Sequence, residues 1–84
     1  MLIRSQDKTI ITTDLNLWIS KEVVGYEIEN NDFKLGAYFT EEKAIKVLDM
    51  ICEHALELHF STIVPSECGK IYGNVFQMPQ DSEV

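Results

Sequence analysis

The sequence predicts an α+β domain: an antiparallel sheet of about five short strands packed on one long helix, with a C-terminal strand. Three observations carry this expectation. Residues 40–59, TEEKAIKVLDMICEHALELH, sustain helical periodicity over several turns. Before them, apolar and β-branched residues alternate in short runs separated by polar turns. After them, Pro65, Gly69 and Gly73 punctuate a loop that leads into the apolar run 71–78. The 84 residues form one domain, 1–84, with one small core; a chain of this size buries roughly 60–65% of its unfolded surface.

Residues 1–4 are an apolar start fit for a strand, and 5–8 form a polar turn in which Asp7 can bond nearby backbone. Residues 9–13 are β-branched throughout and read as the returning strand. After a turn at Asp14, Leu15, Leu17 and Ile19 alternate with Asn16, Trp18 and Ser20, the period of a half-buried strand. Trp18 then lies on the face opposite the leucines, either partly exposed or covered by another chain. Lys21 and Glu22 make a turn, and Val24, Tyr26 and Ile28 alternate with Glu27 and Glu29. Residues 30–32, Asn-Asn-Asp, read as a hairpin loop, because Asn and Asp tolerate positive φ. Phe33, Leu35, Ala37 and Phe39 follow on one face, with Lys34, Gly36 and Tyr38 on the other. Gly36 in mid-strand signals a bulge or a close approach by another backbone. Glu29 and Lys34 flank the loop and are placed to pair across it.

Thr40 can cap the helix, and Glu41 and Glu42 complement its positive end. Ala44, Ile45, Leu48, Ile51, Cys52, Ala55 and Leu56 follow helical spacing and are expected to cover the sheet. Lys43, Lys46, Asp49, Glu53 and Glu57 lie on the outer side, with Glu42 and Lys46 spaced as a favourable pair. Asp49, Glu53 and Glu57 stack four apart, which costs helix stability through repulsion and marks a candidate docking stripe on a solvated face. Pro79 stops the last strand, and residues 79–84 are expected to be a flexible polar tail.

Fourteen acids against seven bases give a net charge of −7. Such a field repels phosphate and favours basic partners. Direct nucleic-acid binding, which needs clustered Lys and Arg, is disfavoured. No apolar run approaches membrane-span length, and no signal-peptide core opens the chain. The expectation is a cytosolic protein whose thiols, Cys52 and Cys68, stay reduced.

Catalytic chemistry is not assembled. The four glycines are scattered rather than gathered in a phosphate loop, and His54 and His59 are five apart, off the spacing of a helical zinc pair. A zinc set from Cys52, His59 and Cys68 lacks close ligand spacing. Cys68 as a nucleophile has no identifiable partner groups, and the Glu27/Glu29 and Glu53/Glu57 pairs read as solvated carboxylates. The chain is therefore read as non-enzymatic, without metal or cofactor. Trp18 and Tyr38, expected on the face away from the helix, suit a protein interface or a stacking site. Arg4, the only arginine, is the one strong anchor for an anion.

IRSQDK (residues 3–8), LGAYFTEEKAIKVLDMI (35–51) and VFQMPQDSEV (75–84) together resemble a family of small proteins encoded by phages and prophages of Firmicutes. The resemblance covers most of the chain and is weakest over 52–72. It brings no catalytic residues and implies a phage accessory protein in the host bacterial cytoplasm. One expected function is counter-defence: blocking a host immune protein, such as a nucleic-acid-binding defence protein, through an acidic surface built on Asp49, Glu53, Glu57, Trp18 and Tyr38. The alternative is an oligomeric sponge that sequesters a nucleotide signal with Arg4, Trp18 and Tyr38. A third reading is a structural or regulatory phage protein without a ligand. Homo-oligomers are expected, because one helix covers one sheet face.

Overall fold

The computed structural model describes residues 1–61 and 75–84, with only the backbone of 56–61. Among the described residues, six strands and a helix follow one another: β1 (Leu2–Arg4), β2 (Ile11–Thr12), β3 (Trp18–Lys21), β4 (Tyr26–Glu29), β5 (Lys34–Tyr38), α1 (Glu41–Ser61) and β6 (Val75–Gln77). A 3-10 turn at Asp81–Glu83 closes the chain. The architecture is α+β, as expected, but the strands divide into two sheets of three, ordered β2-β1-β6 and β3-β4-β5. The expected single antiparallel sheet is thereby corrected, since β6 also runs parallel to β1. Strand length explains the division. β1 and β2 pair over two positions only, Ile3 with Thr12 and Arg4 with Ile11. Residues 13–17 then run without regular structure to β3, so β2 never lies beside it.

The turn between β1 and β2 is held locally. Lys8 N–H donates to Ser5 O at 2.9 Å, and Lys8 takes a left-handed φ of 67°. The Asp7 carboxylate accepts from Ser5 Oγ (2.7 Å), Thr9 N–H (3.0 Å) and Thr9 Oγ1 (2.7 Å). These bonds, led by the Ser5 hydroxyl, hold the carboxyl down to a pKa of about 2.

The core joins Ile3, Phe76 and Met78 from one side to Ile28, Leu35 and Tyr38 from the other, with Ala44, Val47 and Ile51 of α1 across them. Thr40 Oγ1 accepts from Lys43 N–H at 3.2 Å and caps the helix as expected. The buried stripe, however, is rotated from the expected one. Ile45 is 44% exposed and Cys52 lies at the surface, while Val47 is buried completely. Ala44 has no bulk to hold the helix off the sheet, so its row, continued by Val47 and Ile51, makes the contact.

A bulge decides which residues of β5 face inward. Glu29 pairs with Lys34 and Ile28 with Gly36, which leaves Leu35 as an extra residue. Leu35 stays buried and the alternation beyond it shifts by one. Gly36 and Tyr38 therefore turn inward, whereas Ala37 and Phe39 turn outward. Tyr38, expected on the open face, is only 2% exposed, and Phe39, expected inside, is 70% exposed. The Tyr38 hydroxyl donates to Pro79 O at 2.7 Å. A Cβ at Gly36 would sit 3.0 Å from that hydroxyl and 3.1 Å from Met78 Cε, so the glycine makes room for the tyrosine ring. Residues 79–84, expected to be flexible, take part in this packing: Pro79 and Met78 are buried, and Asp81 ties to Lys43 at 3.0 Å.

Gly36→Val will cost roughly 1–3 kcal/mol by overpacking Tyr38 and Met78, read as a lower urea midpoint at unchanged slope. Burial first, then the charges of Asp81 and Glu83, push the Tyr38 phenol above its ordinary range. The unfolded phenol ionises near about pH 10. The fold's preference for the neutral phenol is therefore fully present below that pH and is lost as pH rises above it. Urea titrations on either side of pH ~10 will show this fall, and Tyr38→Phe will flatten it.

Candidate functional site

The sheet β3-β4-β5 has two edges, and they differ. On β5, Gln6 takes the place of a neighbouring strand. Its N–H donates to Leu35 O at 2.7 Å. Its side-chain Oε1 accepts from Ala37 N–H at 2.9 Å, and its Nε2 donates to Ala37 O at 3.1 Å and Pro79 O at 3.0 Å. The amide of one side chain thus stands in for the peptide group of a strand. Asp81 Oδ1 continues the cover, accepting from Phe39 N–H at 2.9 Å. This bond, with that to Lys43, holds the Asp81 carboxyl below its usual range.

On β3, the hydrogen-bonding parity follows from the hairpin turn. Glu22 N–H donates to Gly25 O at 3.0 Å, and the register runs Lys21 with Tyr26, Ser20 with Glu27, Ile19 with Ile28 and Trp18 with Glu29. Antiparallel pairs alternate between bonded and non-bonded. Ser20 and Trp18 therefore bond to β4, and the N–H and C=O of Ile19 and Lys21 point away from it. Among the described residues, no strand lies on that side of β3.

The same register sets the faces. Ile19 and Ile28 point to the core, so Trp18, Ser20, Glu27 and Glu29 point outward. Trp18 is 41% exposed and its Nε1 donates to Glu29 Oε1 at 2.9 Å. Ser20 Oγ donates to Glu22 Oε1 at 3.0 Å. Lys34 Nζ reaches Glu27 Oε1 at 3.4 Å rather than Glu29, which is already engaged by the indole. The hydrogen bond to Glu27, with further attraction from Glu22 and Glu29, raises the Lys34 pKa above its ordinary value. Among the described residues, Glu27 is thus the one carboxylate in contact with this lysine, and Glu22 and Glu29 act on it from farther off. Beside it lies a cleft of about 180 Å³ lined by Ser5, Gln6, Asp7, Glu27, Lys34 and Ala37 among others. Its volume is below the roughly 300 Å³ at which small-molecule sites usually begin.

The residues expected to carry function are not brought together. Asp49 and Glu53 are exposed on α1, and Glu57 follows one turn on, its side chain outside the described residues. Trp18 is on an edge strand, and Tyr38 is inside. Arg4 is half-buried in the other sheet, with Nε donating to Gln77 Oε1. An anion site from Arg4, Trp18 and Tyr38 is thus not assembled. Cys68 and His59 fall outside the described side chains, and among the described residues no group of three His, Cys, Asp or Glu gathers to hold a metal ion. The outward placement of Glu27 and Glu29 was legible in the β-alternation, but both were read as plain solvated carboxylates; Gln6 was not legible, because a glutamine in a turn carries no signal of the strand edge it will cover.

Comparison with known proteins finds no matching family model, no matching curated protein and no matching solved structure. Among the described residues, no helix is long and apolar enough to cross a membrane.

Gln6→Ala removes both side-chain bonds at Ala37 while leaving its own backbone bond to Leu35. The expected cost is roughly 1–2 kcal/mol, because water can replace part of what is lost at this exposed edge. Amide exchange will accelerate at Ala37 more than at Ile28.

Proposed function

We propose that this chain is a non-catalytic binding protein of phage origin that docks on a basic surface of a host protein. In the counter-defence setting, that host protein is an immune factor whose nucleic-acid channel is blocked by the chain's carboxylates. The observation that carries the reading is the outer face of β3-β4-β5, where Trp18 is oriented by Glu29 beside Glu22 and Glu27. An ordered indole among carboxylates is suited to lysine and arginine side chains, through charge and cation–π contact. The net charge of −7 adds long-range attraction to the same partners. Asp49 and Glu53 extend the acidic surface to α1, where both are exposed. The nucleotide-sponge reading is weaker, since its three residues are dispersed and the negative field opposes a phosphate ligand.

Charge reversal separates the two acidic surfaces. The double variant Glu27→Lys/Glu29→Lys is expected to lose a host protein captured from bacterial lysate, by at least about tenfold in affinity. Asp49→Lys/Glu53→Lys is expected to lose less, and circular dichroism will show both variants folded. Capture of wild-type partner should also weaken with added salt. If no host protein is captured and phage plating on defended hosts does not depend on the chain, the binding reading is wrong.

A further inference from the structure

We infer that the edge of β3 on which, among the described residues, no strand lies receives an extended basic segment of a partner protein by strand addition. This rests on the protein-binding reading above and names its mode. Two independent features of the structure meet at this edge. The first is backbone parity: the N–H and C=O of Ile19 and Lys21 face away from β4, spaced as one side of an antiparallel or parallel ladder. The second is side-chain chemistry: the outward face next to that edge carries Trp18, Glu22 and Glu29.

A strand laid against β3 alternates its own side chains between the two faces. Those on the outward face meet the indole of Trp18 and the carboxylates behind it, so they are Lys or Arg. Those on the other face lie beside Ile19, so they are apolar. The occupant is thus an extended segment of alternating basic and apolar residues. The opposite edge of the sheet does not offer the same ladder, because Gln6 and Asp81 occupy the groups of Leu35, Ala37 and Phe39. A second copy of this chain fits β3 less well. Two chains of charge −7 repel each other, and Lys21 is the type of edge residue that discourages self-pairing.

The test uses the full chain and a fluorescein-labelled peptide of alternating Lys and Val, with alternating Glu and Val as the control, followed by polarisation. Wild type is expected to bind the basic peptide and not the acidic one. Lys21→Pro removes one outward N–H and leaves the ladder to β4 intact, a substitution an edge strand tolerates. It is expected to weaken peptide binding roughly three- to tenfold, whereas Lys21→Ala binds at least as well as wild type. Thermal melts establish that both variants fold. Should Lys21→Pro unfold the chain, the peptide's amide-exchange protection at Ile19 and Lys21 of wild type carries the decision.

If Lys21→Pro, folded, binds as tightly as wild type, strand addition is overturned. If Glu27→Lys/Glu29→Lys abolishes binding in the same series, acidic docking survives without it. Equal binding of the acidic peptide overturns the charge match. Wild-type dimers in light scattering that Lys21→Pro converts to monomers would overturn the basic segment in favour of a second copy.

Discussion

The fold depends on how two narrow sheets are made into one body, and the bond set around Gln6 is where that happens. The core draws on both three-stranded sheets and on α1. Gln6 stands at the turn after β1 and bonds with its backbone and its side chain to β5 of the other sheet. Its Nε2 also reaches Pro79 O, the same oxygen that accepts the Tyr38 hydroxyl. One carbonyl after β6 therefore receives a donor from each sheet. Gln80 returns the contact by donating to Gln6 O at 2.8 Å. The interface is polar at its rim and apolar beneath, where Ile3 and Met78 pack with Leu35.

This junction gives a physical reading to the segments that suggested a phage family. Residues 3–8 contain Gln6 and Asp7, residues 35–51 contain the edge and the helix face it supports, and 75–84 contain β6, Pro79 and Asp81. Far apart in sequence, the three converge on one seam. Their chemistry is structural: amide bonds to a strand edge, a buried phenol and a carboxylate held by Phe39 N–H and Lys43. A seam of this kind gives these stretches a structural reason to look patterned.

What was legible in the sequence was what local chemistry decides. Thr40 caps the helix because a hydroxyl at that place meets a free amide; the hairpin at 30–32 lies where expected, but the expected positive φ is absent there, and the turn is held instead by Asn30 Oδ1 accepting from the Asp32 and Phe33 amides at 2.9 and 2.8 Å. Trp18 is partly exposed because its strand has a wet face. What failed was decided by contacts between distant residues. An extra residue at Leu35 reverses every later side chain of β5, and nothing local separates that strand from a regular one except Gly36. The helix presents Val47 rather than Ile45 because Ala44 sets how closely it approaches, a choice between two adjacent rows that periodicity alone ranks almost equally. β6 parallel to β1 requires a crossover that no short-range pattern encodes.

The bulge links these outcomes to the proposed binding surface. By turning Tyr38 inward, it removes one aromatic from the open face, and by turning Phe39 outward it adds another to the face that carries Trp18. By turning Ala37 outward, it places a small side chain next to Lys34 and Glu27, where a larger one would crowd the cleft. The inward tyrosine anchors Pro79, which positions Asp81 over Phe39 N–H and completes the cover of the β5 edge. With the β5 edge covered, the β3 edge is the one on which, among the described residues, no strand lies. On the wet face beside β3, the indole of Trp18 is ordered by Glu29 of β4, with Glu27 of β4 and Glu22 of the turn close by. The segment proposed for this edge answers both features, its backbone meeting the outward groups of Ile19 and Lys21 and its basic side chains meeting the indole and carboxylates.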